Sequence, residues 1–266
     1  MSYSKALNIP FRHYGLSIGN SSFFNGLRIN FSDRFVNRIN GINITFWPDR
    51  SQSFKKWYNN EAEYFSQING ISLGLLPLAG SMNFINIGLA GIAATPGSLS
   101  GISSGGLFTA AVRINGISVS GLLTQANTIS GLAISGLLLG GTRNINGIAI
   151  AGIAVSSDVS DINGIALSPG MIYCDGKLTG VGVAGLYLNC NKVNGLALGV
   201  FSKPDQLSGV SIAVMNKTKQ LHGLQIGLIN YAANNRKIFR AMPLVNMNFR
   251  KTKSASVALN NPLNRD

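Results

Sequence analysis

The sequence predicts an all-β fold: a single tandem-repeat β-solenoid of short triangular coils, about fifteen residues each, stacked in parallel and closed by terminal caps. Three observations predict it. A unit Ile/Leu-Asn/Ser-Gly-Φ-x-Φ, with Φ apolar, recurs along the chain. Its glycine falls at Gly26, Gly41, Gly70, Gly101, Gly116, Gly131, Gly147, Gly164, Gly180, Gly195, Gly209 and Gly223. Within a unit apolar residues alternate with period two, as in Ile148 and Ile150 after Gly147, the mark of half-buried strands. Finally, only 12% of the 266 residues are charged, against roughly 25% in an average protein, so little of the repeat is built for solvent.

The coil follows from the spacing. From Gly70 to Gly223 the steps run from fourteen to seventeen residues, with Phe84 standing at one glycine position and Gly15 opening a degenerate first copy. Ile114 and Ile117 flank Gly116 three residues apart, which predicts a bend at the glycine. A second bend falls near Gly121. Two bends and a variable loop divide a unit into three short sides. Strands this short cannot satisfy their own backbone, so stacking about 4.8 Å apart is required. The expected core is two ladders, one through Ile71, Ile102, Ile117, Ile148 and Ile165, the other through Leu73, Val119, Ile134, Ile150 and Leu167. The position four after each glycine is always small (Gly74, Ser120, Ser135, Ala151, Ala184). A tight bend explains it best, and a close-approach surface for a second subunit or a membrane is the alternative.

The chain divides into residues 1–37, an N-terminal cap with degenerate first coils, residues 38–230, the repeat domain with an insertion at 47–66, and residues 231–266, a basic C-terminal cap and tail. The insertion carries Trp47, Lys55, Lys56 and Trp57, a candidate contact loop; covering the first coils is its simpler role. Extra residues gather before each Ile-Asn-Gly, as in Ser156–Ser160. Arg113, Arg143, Lys177 and Lys192 fall there too, predicting a basic edge that corner solvation would also explain. Cys174 and Cys190 occupy the same position in adjacent coils, within disulfide reach. A bridge suits an exported protein and a stacked thiol pair the cytosol.

No catalytic, metal or nucleotide motif stands out, so a non-enzyme without cofactor is expected. Asp158, Asp161, Asp175 and Asp205 are weighed as a sugar-cleaving carboxylate set and read as solvated acids. The formal charge of +13 favours anionic partners, namely acidic glycan, lipopolysaccharide or lipid headgroups, with self-association as a further option. Nucleic acid is disfavoured, because no aromatic platform accompanies the basic residues. No apolar run is long enough for a membrane-spanning helix, and no leader is visible at Met1–Pro10, leaving the compartment open.

Gly223-Leu224-Gln225-Ile226-Gly227-Leu228-Ile229-Asn230-Tyr231 resembles the GLQIGLIN repeats of uncharacterised bacterial surface-repeat proteins, as do Gly15–Asn20 and Gly26–Phe31. The resemblance implies an envelope-associated repeat protein without assigned activity. Its expected role is a non-catalytic scaffold, structural or interacting. An antiparallel outer-membrane β-barrel is the alternative, and a polysaccharide-active β-helix the weaker one.

Overall fold

A computed structural model describes residues 6–11, 13–33, 36–47, 66–157 and 161–250. The chain winds as a β-solenoid of about 13 turns with about 15 residues per turn. Successive units pair parallel and in register, glycine on glycine: Gly116 on Gly101, Gly131 on Gly116, Gly147 on Gly131. Phe84 takes the glycine position between Gly70 and Gly101. Neighbouring units of an antiparallel cylinder would run in opposite directions, and here they do not. The parallel stack ends where an antiparallel strand covers its last edge. Ala6–Phe11 pairs antiparallel with Tyr14–Gly19, and Ala241–Asn248 pairs antiparallel with Gln220–Ala232. Each end of the parallel stack is therefore continued by an antiparallel strand, which breaks the parallel coil register there.

The corner at each repeat glycine explains the residue. Gly131 and Gly147 have φ of 123° and 127°. A Cβ on Gly147 would overlap the carbonyl oxygen of Gly131 one coil below. Both the dihedral and the close approach of backbone therefore demand glycine. The asparagine before it has its own reason. Asn40 Nδ2 donates to Asn25 Oδ1 at 2.6 Å, Asn69 to Asn40 at 2.8 Å and Asn83 to Asn69 at 2.7 Å, forming a side-chain ladder along the stack.

The two aliphatic ladders expected in the core lie outside it. Counting from the repeat glycine, the fully buried row is two residues before it: Ile114, Ile129, Ile145, Ile162, Leu178 and Val193. A second buried row lies eight after: Leu139, Val155, Ile172 and Leu188. The residues one and three after the glycine face outward, Ile117 at 41% exposure and Val119 at 39%. Alternation is not broken at the glycine as the three-residue spacing suggested: even positions stay inside through the corner. Volume is the reason. A prism with sides this short admits one large side chain from each of two walls, and the third wall must offer small ones. At Gly182 a Cβ would already collide with Leu178 and Leu188. Ala133, Ala149, Ala166 and Ala197 fill the equivalent inward place. The small column four after the glycine is also interior: Ser120, Ser135, Ala151 and Ala184 are buried where two walls converge. It is not a surface for a second subunit.

This inversion has a measurable consequence. Ile162→Ala should lower stability by about 2–5 kcal/mol, as for other buried isoleucines. Ile165→Ala, three residues on and pointing outward, should cost under about 1 kcal/mol. Urea midpoints of the two variants decide; equal losses would return the outer row to the core.

Candidate interaction surface

The outward rows form the most extensive feature of the described surface. One row runs Ile9, Leu16, Leu27, Ile42, Ile71, Ile85, Ile102, Ile117, Leu132, Ile148, Ile165, Val181, Leu196, Val210, Leu224 and Met247, each paired in register with the next. The second row, two residues further along, starts at Leu7 and Ile18 and ends at Ile226 and Val245, with Ser104 its one polar member. Both capping strands thus extend the wall. At a strand spacing of about 4.8 Å it is about 70 Å long, and two rows make it about 10 Å wide. An area on the order of 700 Å² already exceeds the ~300–600 Å² of the largest apolar patch on a typical monomer.

The wall does not stop at its edge. At the next corner Leu107, Leu122, Leu137 and Ile153 stack directly, joined by backbone hydrogen bonds of 2.8–3.1 Å. Leu122 and Ile153 are 45% and 47% exposed. Beyond the corner, Leu123, Leu138 and Met171 carry the apolar surface onto the second wall. It then turns polar, with Gln125 and Asn189 on the outer positions. The third wall presents the Asn/Ser ladder. In cross-section the coil is therefore amphipathic, with one convex apolar arc covering a whole wall, a corner and half of the next.

The four basic residues of the sequence-based edge lie off this arc. Arg113 and Arg143 are exposed, and Lys177 and Lys192 pair directly in adjacent coils. All four line the corner between the second and third walls, so the sequence-based edge is one physical edge. Two lysines side by side reinforce an attraction for anions. The edge is interrupted by Asp161, whose Oδ1 accepts the Lys177 backbone N–H at 2.8 Å. Lys192 also lines a cleft of about 330 Å³ with Gln206, Ser208, Gln220 and His222.

The acids of this edge are engaged locally. Asp161 holds the Lys177 backbone. Asp175 accepts from the Tyr173 hydroxyl at 2.6 Å, and Asp205 pairs with Lys219 Nζ at 2.8 Å. Asp158 lies outside the described residues. In the contact loop, Trp47 ends the strand Arg38–Trp47 at 39% exposure, pairing with Ser32. Lys55, Lys56 and Trp57 lie outside the described residues. Cys174 and Cys190 are bridged in the buried interior, closing a 16-residue separation between two coils. A loop of that size corresponds to about 3 kcal/mol in the chain-entropy view. Among the described residues no group of three or more His, Cys, Asp or Glu is placed to hold a metal, and no helix is long and apolar enough to cross a membrane.

No protein-family model, curated protein or solved structure matches this chain.

The aliphatic arc was not recognised from sequence, although a signal for it exists. Each unit holds up to six large apolar residues, at positions two before and one, three, six, seven and eight after the glycine. A coil with three-residue sides can enclose only two of them.

Proposed function

We propose that the protein is a non-catalytic repeat scaffold of the bacterial envelope, acting through surface contact. The supporting observation is the continuous aliphatic wall. Burying its roughly 700 Å² would supply favourable energy at about 25 cal/mol per Å², and left bare it invites association. The rigid parallel ladder suits a display role, since rows held in register by every coil keep their spacing without a partner. The local engagement of Asp161, Asp175 and Asp205 supports a structural use of the edge acids. The GLQIGLIN-type units support the envelope setting.

The test is retention on isolated bacterial envelopes in detergent-free buffer. The full chain should sediment with them saturably, and Ile134→Glu, an outward substitution, should weaken retention at least tenfold. Absence of retention by the folded chain sinks the scaffold proposal. So does release of reducing sugar ends from envelope polysaccharide that vanishes in Asp161→Asn.

A further inference from the structure

We infer that the apolar arc is a lipid-binding surface, on which the solenoid lies lengthwise on an anionic bilayer. This rests on the scaffold proposal and names the partner of the same surface. Three features select lipid over a second copy of the chain.

The first is shape. The arc is convex. It covers the outward wall, turns the corner at Leu107, Leu122, Leu137 and Ile153, and continues on Leu123 and Leu138. A second rod presents a flat wall and covers one side only, leaving the corner row wet. Fluid acyl chains follow both sides at once. The second is chemistry. Every outward residue of the wall is apolar except Ser104, from one capping strand to the other. Apart from the Ser104 hydroxyl there is no hydrogen-bonding or charged side chain in these rows to give register to a protein partner or to desolvate on entering the acyl boundary.

The third is charge. The net charge is +13, and the basic corner of Arg113, Arg143, Lys177 and Lys192 sits at the far end of the second wall, beyond the apolar arc. When the arc is immersed, this corner stands at headgroup level and the Asn/Ser ladder faces water. Burial of apolar area together with attraction to anionic lipid is the combination that holds amphipathic surfaces in an interface.

Flotation of the full chain with vesicles tests this. The probes are phosphatidylcholine alone and phosphatidylcholine with about one third phosphatidylglycerol, at about 0.1 M and about 1 M NaCl, where the screening length falls from about 10 Å to about 3 Å. The chain should float with the anionic vesicles, at least tenfold more weakly with neutral ones, and more weakly at high salt. Ile117→Glu with Ile148→Glu should reduce flotation at least tenfold. These side chains point outward, so circular dichroism should be unchanged. Lys177→Gln with Lys192→Gln should lessen the salt dependence and leave neutral-vesicle binding intact. Three outcomes overturn the inference: a folded monomer that stays below the vesicles, flotation indifferent to the glutamates, or a dimer abolished by the glutamates without flotation. Envelope retention with any of these would leave the scaffold proposal standing with a different partner.

Discussion

Gly147→Ala should destabilise the solenoid by about 2–5 kcal/mol, while Gly140→Ala, seven residues earlier, should change stability by under about 1 kcal/mol. Two effects add at Gly147. Its φ of 127° is a conformation that costs an L-residue about 1–3 kcal/mol. A methyl group there also points along the stack into the Gly131 carbonyl, a backbone atom held by the coil below. Relief would require the two coils to separate locally, which weakens the ladder bonds between them. At Gly140 the backbone is ordinary, and the added carbon meets the end of the Gln125 side chain, which can rotate away. Removing glycine freedom from the unfolded chain there even offsets part of the contact. Phe84 sets the upper bound. It occupies the same column at φ 94°, so one strained corner is compatible with the fold. Denaturant midpoints of the two alanine variants provide the measurement. Equal midpoints would mean that the repeat glycines are not there for the corner.

The architecture was legible because its signal is redundant. A dozen repeat glycines, seven of them preceded by Asn, fix the coil, the corner and the register together, and Phe84 could be placed by spacing alone. Cys174 and Cys190 could be matched because both sit at the same distance from their glycines. The core was not legible for a physical reason. The preference of aliphatic residues for burial says that Ile belongs inside, but each coil has far more Ile, Leu and Val than interior. Which rows win is decided by the width of the prism, and that width comes from three walls meeting. Local alternation does contain the answer: positions two before, two after and four after the glycine are in phase. The three-residue step from Ile114 to Ile117 draws attention away from it. The basic residues could be gathered on one edge because Arg113, Lys177 and Lys192 sit three residues before their glycines and Arg143 four before. The apolar arc was hidden by the same misassignment that put its rows in the core.

Asp33→Ala should cost about 3–5 kcal/mol and should loosen only the N-terminal coils. Arg28 stands two after Gly26, on the inward column that holds alanine in the middle of the rod, and it is fully buried. Its Nη1 donates to Asp33 at 2.5 Å and to Asn43 Oδ1 at 2.7 Å, and its Nη2 donates to Asn20 Oδ1 at 3.0 Å. Thr45 donates to both Asp33 oxygens at 3.1 Å. Removing the carboxylate leaves a guanidinium in the buried interior with its Nε already without a protein partner, and an uncompensated buried charge is far costlier than a missing pair. Arg28→Met with Asp33→Leu removes both charges and should recover most of the loss, so the pair should couple strongly in a double-mutant cycle. Because each coil contacts only its neighbours, the damage should stay local. Hydrogen exchange should speed up over residues 14–47 in Asp33→Ala and stay unchanged across residues 114–200. Uniform acceleration along the rod would mean that the coils unfold as one unit. Equal losses in the single and double variants would mean that the charges are not buried against each other. The polar ends then have a role beside the capping strands. The hydrogen bonds of the inward polar column add to the register that the repeat glycines already impose.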